Sequence, residues 1–178
     1  MPNRFFLLLL LSLLLLAGGC NSTNEHADKT SKDIYVSYSE EGIGKTFSVP
    51  PGIVSVFLDE SKVGNTELKL LLEDIRHLNF LIIPNLSSDV DNNHYADINK
   101  RLEDILFQDL ASINNGAELI RVKILPKDSV AISEMIVLVS NEQSLFCVSF
   151  QGDINLTKVA NLVKPENLEV VTNLNRFN

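Results

Sequence analysis

The chain has 178 residues, with 15 Lys+Arg against 23 Asp+Glu, a net charge of −8 and 45% hydrophobic residues. This length suits one domain, and the apolar fraction excludes a wholly disordered chain. Two cysteines exclude a disulfide scaffold and a Cys-only zinc site, and the acidic balance argues against nucleic acid as a partner.

The N-terminus carries the clearest signal. Met1-Pro2-Asn3-Arg4 is short and positive, Phe5 to Leu16 is apolar apart from Ser12, and Ala17-Gly18-Gly19-Cys20 follows. This is the layout of a secretory signal peptide over residues 1–19. The apolar run is too short to cross a bilayer, which takes roughly 20 such residues. Small residues leading into one Cys resemble a bacterial lipobox. The resemblance implies cleavage before Cys20 and lipidation of that cysteine. Each buried methylene contributes ~0.8 kcal/mol, so several acyl chains give stable membrane anchoring.

Cleavage there removes Arg4 alone among the charged residues and leaves the mature chain at −9. Anionic lipid repels such a domain, so the acyl anchor is expected to hold the membrane. Asn21 differs from the Asp that retains some lipoproteins at the inner membrane; this resemblance points to the outer membrane. Asn21 to Asp33 has no large apolar residue, so residues 20–33 read as the lipidated Cys and a flexible tether. Its mean reach is about 20 Å.

Residues 34–164 read as a single domain. Ile34 to Tyr38 fits a short strand and Lys45 to Val49 another. Pro51 suits the start of a short helix that carries Ile53, Val54, Val56, Phe57 and Leu58. Asn65 is placed to cap a second helix, with Leu68, Leu71, Leu72, Ile75 and Leu78 as its stripe. Asn79 to Pro84 is β-branched, apolar and strand-like. After a polar stretch from Asn85 to Asn93, a longer helix is expected from Tyr95 to Ile113, stopped by Asn114-Asn115-Gly116.

The period then changes to two. Leu119–Leu125, Val130–Val139 and Leu145–Gln151 are expected to form an antiparallel meander. Asp153 or Asn155 caps a last helix, and Pro165 ends it. Residues 165–178 are left as a C-terminal tail. The expected class is α+β: a two-layer sandwich, with helices packed on one face of a mostly antiparallel sheet and a C-terminal three-strand meander.

Several stretches resemble a known family. They are the lipobox Cys, Leu68-Lys69-Leu70-Leu71-Leu72-Glu73-Asp74-Ile75 running into Phe80-Leu81-Ile82-Ile83, the strand start Glu118-Leu119-Ile120, and Phe150-Gln151-Gly152-Asp153-Ile154 leading to Leu156. Together, over roughly Thr46 to Val163, they look like the lipoproteins of Gram-negative bacteria that carry domain of unknown function 4252. The resemblance implies an envelope lipoprotein with no established activity, no catalytic residues and no cofactor.

Four groups of residues bear on chemistry. Gly44-Lys45-Thr46 matches the end of a P-loop, but Ser39 stands where the first Gly belongs, and Pro50-Pro51 interrupts the helix that would hold phosphate. Asp89, Asp91, Asn93 and Asp97 have the spacing of a calcium loop. His94 and Lys100 replace its Gly and its bidentate acid, so at most a weak surface cation site is expected there. His77 suits a helix C-terminus, and Cys147 suits a small buried apolar role.

Glu134 lies in an apolar strand, where a carboxylate marks either a buried site or a partner-facing spot. The polar strand face of Arg121 and Lys123, or Glu134, is the candidate partner contact. Two functions follow. One is a non-catalytic, lipid-anchored envelope protein that binds a protein partner or assists envelope sensing or assembly. The other is a small-ligand or calcium-binding module.

Overall fold

A computed structural model describes residues 30–84, 93–114 and 116–176. Cys20, most of the expected tether, Asp89 and Asp91 lie outside the described residues. The elements are α1 (Lys32–Glu40), β1 (Lys45–Val49), α2 (Pro51–Phe57), α3 (Asn65–Leu72), β2 (Ile75–Pro84), α4 (His94–Asp104), β3 (Gln108–Asn114), β4 (Glu118–Pro126), β5 (Ala131–Asn141), β6 (Ser144–Asn155), α5 (Leu156–Leu162) and α6 (Pro165–Thr172). A 3-10 turn, Asn173–Arg176, follows.

The six strands form one sheet in the order β1-β2-β6-β5-β4-β3, and every pairing is antiparallel. The α+β class and the C-terminal meander are as expected. The expected two layers with helices on one face are corrected: α2, α3, α5 and α6 cover one face of the sheet and α1 and α4 the other, giving three layers.

On the first face, Leu78, Phe80, Val122, Met135, Val137, Phe146, Val148 and Phe150 pack with residues of α2, α3, α5 and α6. On the second face, Leu81, Ile83, Ile136, Leu138, Leu145 and Cys147 pack under Ile34, Tyr35 and Tyr38 of α1 and under Ile98 and Leu102 of α4. Alternate residues of a strand point to opposite faces, so each inner strand feeds both cores. This is why Val137 and Leu138 are both buried.

Several local expectations are overturned. Asn65 does not cap α3: it is the helix's first residue after Gly64, and its Nδ2 donates to the Asp59 carbonyl oxygen. The run Ile34 to Tyr38 is helical, not a strand. Ile34, Tyr35 and Tyr38 fall on one helical face, and a five-residue run fits either period. The helix expected to reach Ile113 ends at Asp104; Leu106 turns with φ 74, and Gln108–Asn114 joins the sheet edge beside β4. Ladder hydrogen bonds there override a helical apolar period. Ile75, His77 and Leu78 belong to β2, so His77 is an exposed strand residue and sits at no helix end.

The stretch after Pro165 is not a loose tail. Leu168, Val170, Val171 and Leu174 join the first core. Its helix docks by a close approach at Gly64, where a Cβ would lie 2.5 Å from the Asn167 carbonyl oxygen. Gly64 also has φ +81, which Gly adopts without strain. At Gly152 a Cβ would meet the Asp74 carbonyl oxygen at 2.0 Å. The close passage of β6 against the turn before β2 therefore requires glycine. Asn155, three residues on, caps α5 by accepting from Thr157 N.

Candidate functional site

The second face of the sheet holds the polar chemistry. Along β4, β5 and β6 the residues pointing that way include Arg121, Lys123, Glu134 and Ser149, and α1 and α4 lie over them. Sequence alternation marks these positions as the polar side of their strands. The helices make that side an interior.

Glu134 is 1% exposed. Its Oε1 accepts from Ser31 Oγ, Ser149 Oγ and Gln151 Nε2, and its Oε2 accepts from Ser31 N at 3.2 Å. Among the described residues no Lys or Arg forms an ion pair with it. The carboxylate is held by neutral donors alone, two of them from the residue that opens α1. Hydrogen bonds to a charged group are roughly twice as strong as neutral ones, which lets a carboxylate sit this deep. Beside it, the Tyr35 hydroxyl is buried with no hydrogen-bond partner of good geometry. Burial pushes the Tyr35 pKa well up; the Cys147 thiol and Glu134 add to this, and Ser31 opposes it.

Lys123 is 0% exposed, and its Nζ lies 3.0 Å from Asp109 and 3.3 Å from Glu103. Arg121 donates to Asn99 Oδ1 at 3.1 Å and stacks over the Tyr95 ring at 5.6 Å. Asn99 and Glu103 come from α4, so the basic residues of β4 staple that helix to the sheet. Lys123 and Glu134 therefore do not form an open partner contact, and Arg121 is half-covered. The two candidate groups also bind separate partners and do not act together.

A cleft of about 420 Å³ opens between the end of α1 and the start of α4, lined by Tyr38, Glu41, Ile43, Asn93, His94, Asp97 and Arg101. It brings together Asn93 and Asp97 of the expected cation loop. Both are engaged. Asn93 Oδ1 caps α4 by accepting from Ala96 N. Asp97 accepts from Tyr38 Oη at 2.8 Å and lies 3.7 Å from Arg101. A carboxylate already neutralised by a guanidinium is a poor cation ligand. Burial and this hydrogen bond raise the Tyr38 pKa. Among the described residues no three His, Cys, Asp or Glu group closely enough to hold a metal ion.

The P-loop remnant is the entry to an edge strand: Lys45 and Thr46 pair with Ile82 and Leu81. Cys147 is buried, and burial raises its thiol pKa, opposite to a catalytic thiol. Sequence reasoning found Glu134 and missed Ser31, Tyr35, Ser149 and Gln151 around it. The meander register contained part of the signal, since it sets Glu134 opposite Gln151 and Ile136 opposite Ser149. Ser31 had none, because it sits at the end of a featureless polar stretch.

These features define an α+β domain whose sheet is apolar on one face and carries a covered polar layer on the other. The family described as Domain of unknown function (DUF4252) matches residues 38–162, most of the chain, and the chain belongs to it. No curated protein and no solved structure matches the chain.

Proposed function

We propose that this is a lipid-anchored, non-catalytic protein of the bacterial cell envelope that binds a protein partner. Cys20 would carry the lipid, most simply at the outer membrane. The observation that carries partner binding is the outer side of α2. Its Ile53, Val56 and Phe57 recur at the spacing of one helical face, yet Val56 is 80% and Phe57 70% exposed. Val63 is exposed in the loop that follows, and Phe47, stacked on Phe80, is part-exposed on the neighbouring edge strand β1.

An apolar helix face beside an unpaired strand edge is the kind of surface that another chain covers. The net charge of −9 on the mature chain disfavours anionic lipid as the occupant. The non-catalytic reading rests on where the reactive groups lie. Glu134 is saturated by hydrogen bonds, Cys147 is sealed under α1, and Asp97 is paired with Arg101.

A photo-crosslinking residue in place of Phe57, expressed in cells, tests the surface. One dominant protein adduct, lost on Val56→Asp, is the expected result. Adducts to lipid alone, or none, would overturn partner binding. Fatty-acid labelling of the wild type and not of Cys20→Ala is expected for the anchor.

A further inference from the structure

α1 occupies an unusual position. It is the first described element after the segment that would lead to Cys20, and it takes no part in the sheet ladders. Its hold on the domain is by side-chain packing and hydrogen bonds, with no ladder. Ile34, Tyr35 and Tyr38 enter the second core. At its start Ser31 grips Glu134, and at its end Tyr38 Oη donates to Asp97 while Arg101 donates to Ser37 Oγ at 2.9 Å.

In the middle of this contact the buried Tyr35 hydroxyl has no hydrogen-bond partner of good geometry, and it would regain water if the helix left. The helix is followed by Gly42 with φ +70 and open space around it. The family match begins at Tyr38, so Ser31 and the first turns of α1 precede it. Detaching α1 as far as Gly44 breaks no strand pairing, because β1 starts at Lys45.

We infer that α1 is a releasable strap that sets how far the domain can stand from its lipid. It rests on the anchoring reading for what lies at the other end of the chain. With α1 docked, the covalent path from Cys20 to Ser31 cannot exceed about 38 Å at ~3.5 Å per residue. With α1 released, the path from Cys20 to Gly44 extends to about 80 Å. The Ser31–Glu134 contact is the latch. Among the described residues it is the first side-chain contact to the sheet that tension along the chain meets, and its carboxylate lies in the central strand β5. Local openings of this kind, separate from global unfolding, arise where an element has few buried contacts and no ladder.

The protein supplies its own reporter. Cys147 lies in the core beneath α1, and it is the only thiol left once Cys20 bears lipid or is replaced. The experiment is the rate of Cys147 labelling by a thiol reagent in the lipidated protein held in detergent, across low denaturant concentrations. The expected rate exceeds that set by global unfolding by about tenfold or more and is nearly flat in denaturant. Ser31→Ala and Glu134→Gln should each raise it further. Val171→Ala, which loosens the opposite core, should leave the flat region unchanged.

If Glu134→Gln does not fold, Ser31→Ala still decides. Labelling that follows global unfolding at every denaturant concentration, in wild type and Ser31→Ala alike, would overturn the strap. Equal fatty-acid uptake by Cys20→Ala and wild type would instead overturn the anchoring reading and the reach assigned to the strap. The labelling rates would still decide the release.

Discussion

The two faces of the sheet are built from the same strands and obey different rules. The first face is apolar throughout, from Leu78 on β2 to Ile124 on β4, and its helices are held by shape and burial. The second face has a shorter apolar center flanked by Glu134 with Ser149 and by Lys123 with Arg121, and its two helices are held by specific polar contacts as well as by apolar burial. Nonspecific burial makes a face stable. Polar contacts make a face particular, because each requires one partner in one place. The first face is therefore the larger reserve of stability, and the second is the face whose helices are placed by particular partners.

The sharpest way to break this contrast is to cut the first face. Phe150 is fully buried among aliphatic and aromatic side chains. Phe150→Ala should cost about 4 kcal/mol, the loss of transfer free energy plus a cavity, read from urea denaturation. A loss below about 1 kcal/mol would mean that this core can collapse around the gap and is not the stability reservoir.

The same contrast explains what was legible beforehand. A long β period with no charge on the first face, as in Phe146, Val148 and Phe150, forced the meander and its register. Glu134 stood out as an acid between Ile132 and Ile136, but the strand alone left open whether it was buried or faced a partner, and the structure buries it. The second face was harder. Arg121 and Lys123 look like solvent-facing positions in any antiparallel strand, and only the tertiary placement of α4 turns them inward. Leu106 to Ile113 kept a helical period through a segment that pairs with β4, because Leu110 and Ile113 serve a sheet edge equally well. Ser31 and Tyr35 belong to a helix whose docking depends on a carboxylate about a hundred residues away in sequence, and no local pattern encodes that.

A smaller effect is expected where a charge is buried but its partners are not. Lys123 is sealed, whereas the Glu103 and Asp109 side chains are 52% and 56% exposed. Removing the lysine strands no buried charge, and it recovers the desolvation cost of the ammonium. Lys123→Met should therefore change stability by less than about 1 kcal/mol in either direction, by thermal denaturation. A loss of about 3 kcal/mol or more would show that the ion pair itself fastens α4.

The most pointed change, removing a single oxygen, is Tyr35→Phe. It removes the one hydroxyl on the second face that is buried under α1 without a partner, and it leaves the ring in place. An unsatisfied buried hydroxyl costs about 1 kcal/mol or somewhat more, so the variant should gain about that amount at neutral pH. Its pH dependence is a second, independent signature. The Tyr35 pKa is raised above its ordinary value of 10.0, chiefly by burial, with Cys147 and Glu134 also facing the phenol. A group with a raised folded pKa contributes stability that is complete below the unfolded value and is lost as pH rises toward the folded one. The wild type should therefore weaken from about pH 10 upward as the unfolded chain releases the proton first.

Tyr38, Tyr95 and Cys147 are raised in the same direction, the thiol from an ordinary value of 9.0, so part of that alkaline loss starts earlier and persists in the variant. Tyr35→Phe should show a shallower decline, followed by denaturant midpoints between pH 9 and 11. An unchanged slope would mean that the phenol is already in contact with water, and that α1 opens far more often than a docked helix would.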